Sequence, residues 1–221
     1  MDAHDLASPC IFWQHSIPSW SADGQWIVLT TLLSTWWTDI WRIFEDGRIS
    51  DRLRFLHRKQ QDRTEEIQRW ILHGTREPLG ELYPSWSPDG VNMAFTFSTV
   101  PDSDASTADK KIVRTIWTAP VDGGAPTRIT EGFSPAWSPD GQTILFLREE
   151  TQVGKGEFRS LWSIPSTGGI PKEILSNVSG LTSIKWAPNG DQILFLTPPN
   201  DNLWVMNLNT TKFRSYLKNK E

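Results

Sequence analysis

Four short stretches of the chain are strongly apolar: Trp26–Leu29, Met93–Phe97 (interrupted only by Thr96), Ile144–Leu147 and Ile193–Leu196. None is long enough for a packed helix, and each suits a strand. Apolar residues on both faces of so short a run predict a strand sandwiched between two layers. Directly before each run stands a turn signal: Ser-Ala-Asp-Gly24, Ser-Pro-Asp-Gly90, Ser-Pro-Asp-Gly141 and Ala-Pro-Asn-Gly190. Proline presets the backbone at the first turn position, the aspartate side chain can bond its own backbone, and glycine accepts positive φ. The pattern therefore predicts hairpins, with a strand ending just before each turn and another starting just after it.

The hairpins belong to a longer repeat. One tryptophan precedes each turn (Trp20, Trp86, Trp137, Trp186), and a second follows each apolar run within Ile40-Trp41, Ile116-Trp117, Leu161-Trp162 and Leu203-Trp204. Eight of the 13 tryptophans thus occupy two equivalent positions. A further turn signal, such as Asp46-Gly47, Asp122-Gly123-Gly124 or Gly168-Gly169, precedes a last element that ends at Leu53, Ile129, Leu175 or Tyr216. Each unit reads as four strands, a to d. Four-stranded antiparallel sheets repeated radially, each buried against its neighbours, make an all-β propeller. A sandwich would not need the fixed four-strand grammar, and a β-helix would use shorter coils. The chain is expected to be one domain, 1–221, with blades at about 17–54, 83–131, 134–178 and 183–217.

Trp-Ser-Pro-Asp-Gly, an apolar strand, Leu/Ile-Trp and Asp-Gly-Gly together resemble the WD-like propeller repeat of the TolB family. Trp86–Thr130 and Trp137–Leu175 carry the motif best, while Ala22 and Asn189 depart from it. The resemblance implies the fold and leaves activity open, because propellers of this kind serve as protein-binding modules, as lids of prolyl-oligopeptidase-like and dipeptidyl-peptidase-like hydrolases, and as sensor domains. Such propellers usually have six or more blades. Four repeats therefore suggest an incomplete or open ring, completed by a longer chain or by self-association.

The interval from Trp20 to Trp86 is longer than the other two, leaving residues 55–82 as an insertion. Asp62 and Glu65 can form a capping box, Gly74 can stop a helix, and Ile67, Trp70 and Ile71 would share its face. A short helix is the favoured reading. Two strands, 54–58 and 69–73, forming a half-blade, are the alternative.

Composition narrows the function classes. A net charge of −4 offers no electrostatic footprint for nucleic acid. No apolar run is long enough to span a bilayer, so no membrane insertion is expected. The first residues, Met1-Asp2-Ala3-His4-Asp5, lack the basic, apolar start of an export signal. The expectation is a cytoplasmic protein as written, and a periplasmic one if the N-terminus is truncated. The lone Cys10 makes no internal disulfide or zinc site. Gly132-Phe-Ser-Pro-Ala136 lacks the final glycine of a nucleophile elbow, and Asp102, Asp104 and Asp109 fail the calcium-loop pattern. No catalytic residue, metal or cofactor is implied.

Binding is expected on the face that carries the b–c and d–a connections, where length and composition vary most. Trp36 and Trp37 fall in the first b–c connection, outside the repeat positions, and Trp70 falls in the insertion on the same face. These three are the candidate binding residues for a protein partner. The leading expectation is a non-catalytic scaffold. A detached hydrolase propeller and a small-ligand sensor are the alternatives.

Overall fold

A computed structural model of the chain describes residues 18–32, 37–46, 48–53, 79–99, 112–152, 156–197 and 202–215. Sixteen strands follow one another through these residues. Blade 1 holds β1 (Ser19–Trp20), β2 (Trp26–Leu32), β3 (Trp37–Phe44) and β4 (Ile49–Leu53). Blade 2 holds β5 (Leu79–Trp86), β6 (Asn92–Thr99), β7 (Val113–Pro120) and β8 (Thr127–Glu131). Blade 3 holds β9 (Phe133–Trp137), β10 (Thr143–Gln152), β11 (Gly156–Pro165) and β12 (Lys172–Ser179). Blade 4 holds β13 (Thr182–Trp186), β14 (Gln192–Thr197), β15 (Asn202–Asn207) and β16 (Phe213–Ser215). Within each blade the strands pair antiparallel in sequence order. A short parallel bridge, Trp37 to Leu79 and Thr38 to Gly80, ties blade 1 to blade 2. The protein is an all-β, four-bladed propeller, as the repeat requires.

The a–b turns follow the predicted chemistry and add a part the motif does not advertise. Gly24, Gly90, Gly141 and Gly190 all adopt φ between 72° and 75°. In blade 3 the Ser138 hydroxyl donates to Asp140 at 2.6 Å and accepts from the Thr143 amide at 2.9 Å. Asp140 also accepts from the Gln142 amide at 3.0 Å. Ser21–Asp23 and Ser87–Asp89 repeat this arrangement. The serine is thus the hub that joins both hairpin strands to the turn aspartate. In blade 4, Ala187 and Asn189 keep the turn without that hub.

These bonds favour the ionised aspartates. The serine hydroxyl first, and then the backbone amide two residues on, hold Asp23, Asp89 and Asp140 below the usual carboxylate range. A depressed folded pKa contributes stability above the unfolded value, lost as pH falls through the folded value. The urea midpoint is therefore expected to fall off below about pH 4. Asparagine at all three positions should flatten that decline, and an unchanged acid limb would show that other carboxylates cause it.

Three apolar cores hold the blades together. Val28 and Ile40 of blade 1 meet Met93, Phe95 and Ala119 of blade 2. Ala94 and Ile116 of blade 2 meet Ile144, Phe146 and Ile164 of blade 3. Leu145, Leu147 and Leu161 of blade 3 meet Ile193, Phe195 and Met206 of blade 4. Accordingly Met93–Ser98 and Ile144–Leu147 are buried without a break. The two end blades differ: Leu194 and Leu196, and likewise Ile27 and Leu29, are only half-buried. A strand apolar on both faces is sandwiched only where a blade stands on each side. No apolar core joins blade 4 to blade 1 among the described residues.

Two expectations change. The b–c connection placed at 150–159 is largely a hairpin extension, since Glu150 pairs with Phe158 and Gln152 with Gly156. Continuing the ladder satisfies backbone groups that a loop would leave to water. Residues 79–82, placed in the insertion, open β5. No helix occurs among the described residues, and the segment proposed as helix or half-blade, 54–78, lies outside them.

Candidate functional site

On the face of the b–c and d–a connections, blades 2 and 3 part to form a cleft of about 580 Å³. Its walls come from strand ends. Val113 and Arg114 open β7, Arg128 and Glu131 lie on β8, Phe133 opens β9, and Arg148 and Glu149 lie late in β10. The sequence places Arg114 by repeat: it and Arg159, which pairs with Glu149, each stand three positions before the second tryptophan of their unit. That charged position inside a strand was the available signal, and a search for loop residues passes over it.

Glu149 organises the cleft. It accepts from Arg114 at 2.7 Å and pairs with Arg159 at 3.7 Å, bridging neighbouring blade edges. Both guanidinium groups stand over the Phe133 ring, at 5.4 and 5.2 Å from its centroid. Arg159 also donates to the Leu181 carbonyl at 3.0 Å, in the link between blades 3 and 4. Tyr83 packs 6.5 Å from Phe133. Burial pushes its phenol pKa up, while Arg159 pulls it down and Glu149 adds to the rise.

Arg148 forms the other wall. Its guanidinium lies 4.3 Å from the Trp162 ring centroid and donates to the Glu131 carbonyl and the Thr130 hydroxyl, both at 3.1 Å. The planar group is therefore fixed by stacking and by two acceptors, which an ammonium could not reproduce. Arg128 is half-exposed at the rim, 3.4 Å from exposed Glu131. Chemically the cleft offers fixed cations beside an aromatic ring, suited to carboxylates and to planar side chains.

Ser134, at the centre of the elbow-like string, has φ 55°. Tyr83 and Ser183 have φ 51° and 53° at the equivalent repeat positions, where each inner strand shifts register. The strain is thus a repeated β-bulge. The Ser134 amide donates to Thr96 across the blade junction at 3.0 Å. All four histidines lie outside the described residues. Among the described residues, no group of three or more His, Cys, Asp or Glu is placed to hold a metal ion.

On the opposite face, Trp20, Trp86, Trp137 and Trp186 line a recess of about 260 Å³ around the common axis. The first tryptophan set therefore caps the inner-strand ends and is part of the scaffold. Of the predicted binding residues, Trp37 opens β3 and pairs with Leu79, extending strand c. Trp36 and Trp70 lie outside the described residues, so the three are not brought together here.

No family model matches the chain. It is 28% identical over 116 residues to the uncharacterized peptidase YuxL of Bacillus subtilis, a match covering 50% of this chain and 16% of that protein. In structure it resembles TolB from Acinetobacter baumannii, with a TM-score of 0.58 at 16% identity over 90% of this chain and 42% of that one. A TolB-type structure from Agrobacterium tumefaciens gives 0.59 at 19% identity, over 90% of this chain and 63% of that one. The chain spans less than two thirds of each of these proteins. Its fold is that of a TolB-like β-propeller.

Proposed function

We propose that the chain is a non-catalytic binding propeller that holds a protein segment against its connection face. The observation behind this reading is the cleft between blades 2 and 3, where Arg114 is held over Phe133 with Arg159 beside it, and Arg148 is fixed against Trp162. Such pre-set guanidinium groups favour an acidic segment with an aromatic or apolar anchor. Trp36, Trp37 and Trp70 are proposed to widen the same contact.

The test compares the native chain with Arg128→Glu and with the double variant Trp36→Ala/Trp37→Ala, on an array of acidic peptides carrying one aromatic residue. Arg128 is a rim residue, so the fold should tolerate its change. Binding is expected to weaken about tenfold or more in each variant. Equal binding by all three proteins would dismiss the cleft as the site, and hydrolysis of the peptides would dismiss the non-catalytic reading.

The match to a peptidase over half of this chain favours a second reading, in which the propeller guards the entrance of a hydrolase. A reading frame continuing into, or adjacent to, a Gly-x-Ser-x-Gly domain would support it. Faster cleavage of short peptides than of folded proteins by the joined domains would establish it.

A further inference from the structure

The blade junctions repeat, so a position in one has a counterpart in the next. Arg148 and Thr197 are such counterparts. Arg148 stands two residues after Phe146, which pairs with Trp162, and Thr197 stands two after Phe195, which pairs with Trp204. Between blades 2 and 3 the Arg148 guanidinium lies 4.3 Å from the Trp162 ring centroid and donates across the junction to Thr130 and Glu131 of β8. A flat group thus bridges the tryptophan of one blade and the outer strand of the blade before it.

Between blades 3 and 4 that bridge is missing. The Thr197 hydroxyl accepts from Trp204 Nε1 at 2.9 Å, within blade 4. Leu175 stands where blade 2 has Thr130, since each lies opposite the residue before the second tryptophan. The hydroxyl that receives a guanidinium at the first junction is therefore an isobutyl group at the second. What remains is an apolar slot of about 370 Å³, with Leu175 and Val178 of β12 on one side and Phe195, Trp204 and Phe213 of blade 4 on the other. Phe213, at its rim, is 45% exposed. Both walls belong to consecutive blades, whatever borders the first blade and the last.

The outer edge of β12 runs beside this slot. Among the described residues β12 pairs only with β11, at the end of its sheet. An extended segment adds to such an edge through backbone hydrogen bonds and sends alternate side chains to opposite faces. Those on the side of Leu175 and Val178 would stand over the slot and meet Phe213.

We infer that the slot takes an aromatic side chain presented by an extended segment of a partner protein that pairs with β12. The flat shape is the one that Arg148 fills at the neighbouring junction, and the apolar lining calls for a ring in place of a guanidinium. Once filled, the slot continues the core of Leu145, Leu161, Ile193 and Phe195 outward to the rim. The inference does not rest on the arginine cleft, because the segment needs no acidic residue.

The experiment is calorimetric titration of the 221-residue chain with the capped peptide acetyl-Thr-Tyr-Thr-Val-Thr-amide. Two control peptides carry serine in place of tyrosine, or N-methyl groups throughout, which remove the backbone donors. The native chain should bind the first peptide, and each control about tenfold or more weakly. The double variant Thr197→Arg/Leu175→Thr rebuilds the neighbouring bridge inside the slot. It should weaken binding by the same factor while its urea midpoint stays level or rises. Should that variant fail to fold, Phe213→Ala at the exposed rim takes its place, with the same loss expected. Absence of binding by the native chain, equal binding of the tyrosine and serine peptides, or binding indifferent to these variants overturns the inference. Equal binding of the N-methylated peptide overturns the strand pairing and reduces the slot to a site for free aromatic groups.

Discussion

Phe146→Ala should lower the free energy of unfolding by about 3–5 kcal/mol, the range for deleting a fully buried aromatic side chain. Phe146 is 0% exposed and stands in the junction between blades 2 and 3, among Ala94, Ile116, Ile144 and Ile164. Its ring also supports Arg148, whose guanidinium lies 5.4 Å from the centroid. Collapse into the void is opposed because β10 is held in unbroken register by β11, with Phe146 opposite Trp162. Urea unfolding followed by tryptophan fluorescence reads the effect as a lower midpoint with an unchanged slope. A loss below about 1 kcal/mol would mean that the junction is looser than its burial implies.

Gly132→Ala should be similarly damaging for a different reason. Gly132 joins β8 to β9 at φ 143°, a conformation that costs an alanine on the order of 1–3 kcal/mol. A Cβ there would stand 2.5 Å from the Phe146 ring and 2.7 Å from the Leu147 carbonyl oxygen. The ring could shift slightly, but the carbonyl belongs to the β10 backbone and cannot yield without disturbing the sheet. The expected loss is about 3 kcal/mol or more, seen in the same unfolding experiment. In the double variant Gly132→Ala/Phe146→Ala the losses should sum to less than the two singles, because removing the ring relieves one of the two clashes. Full additivity would locate the damage entirely in the backbone. Since Gly132 also lines the cleft, its variant should weaken peptide binding as well.

The candidate site was legible only in part. Its face followed from topology, because hairpins with short uniform turns leave the longer connections on the other side. The residues did not follow. Trp36, Trp37 and Trp70 stand out in the sequence as aromatic residues outside the repeat, whereas the cleft is lined by Arg114, Arg148 and Glu149, with Arg159 paired to Glu149. In a single blade those side chains read as ordinary polar positions of a pleated sheet. Only the apposition of two blades turns Glu149 into a bridge between Arg114 and Arg159. The extension of β10 and β11 was hidden likewise, because Thr151, Gly154, Lys155 and Gly156 favour a loop by composition.

The sequence by itself determined the strand grammar, the glycine turns and the two tryptophan sets. Those features depend on contacts within a few residues, or across one hairpin, and short apolar runs with turn chemistry specify them. The tertiary structure decided which apolar strands are buried on both faces, where the inner strands bulge, and where the cleft opens. Ile144–Leu147 and Ile193–Leu196 look alike as sequence, yet only the first is enclosed on both sides. Enclosure depends on a neighbouring sheet far along the chain, and no local pattern records whether that neighbour is there.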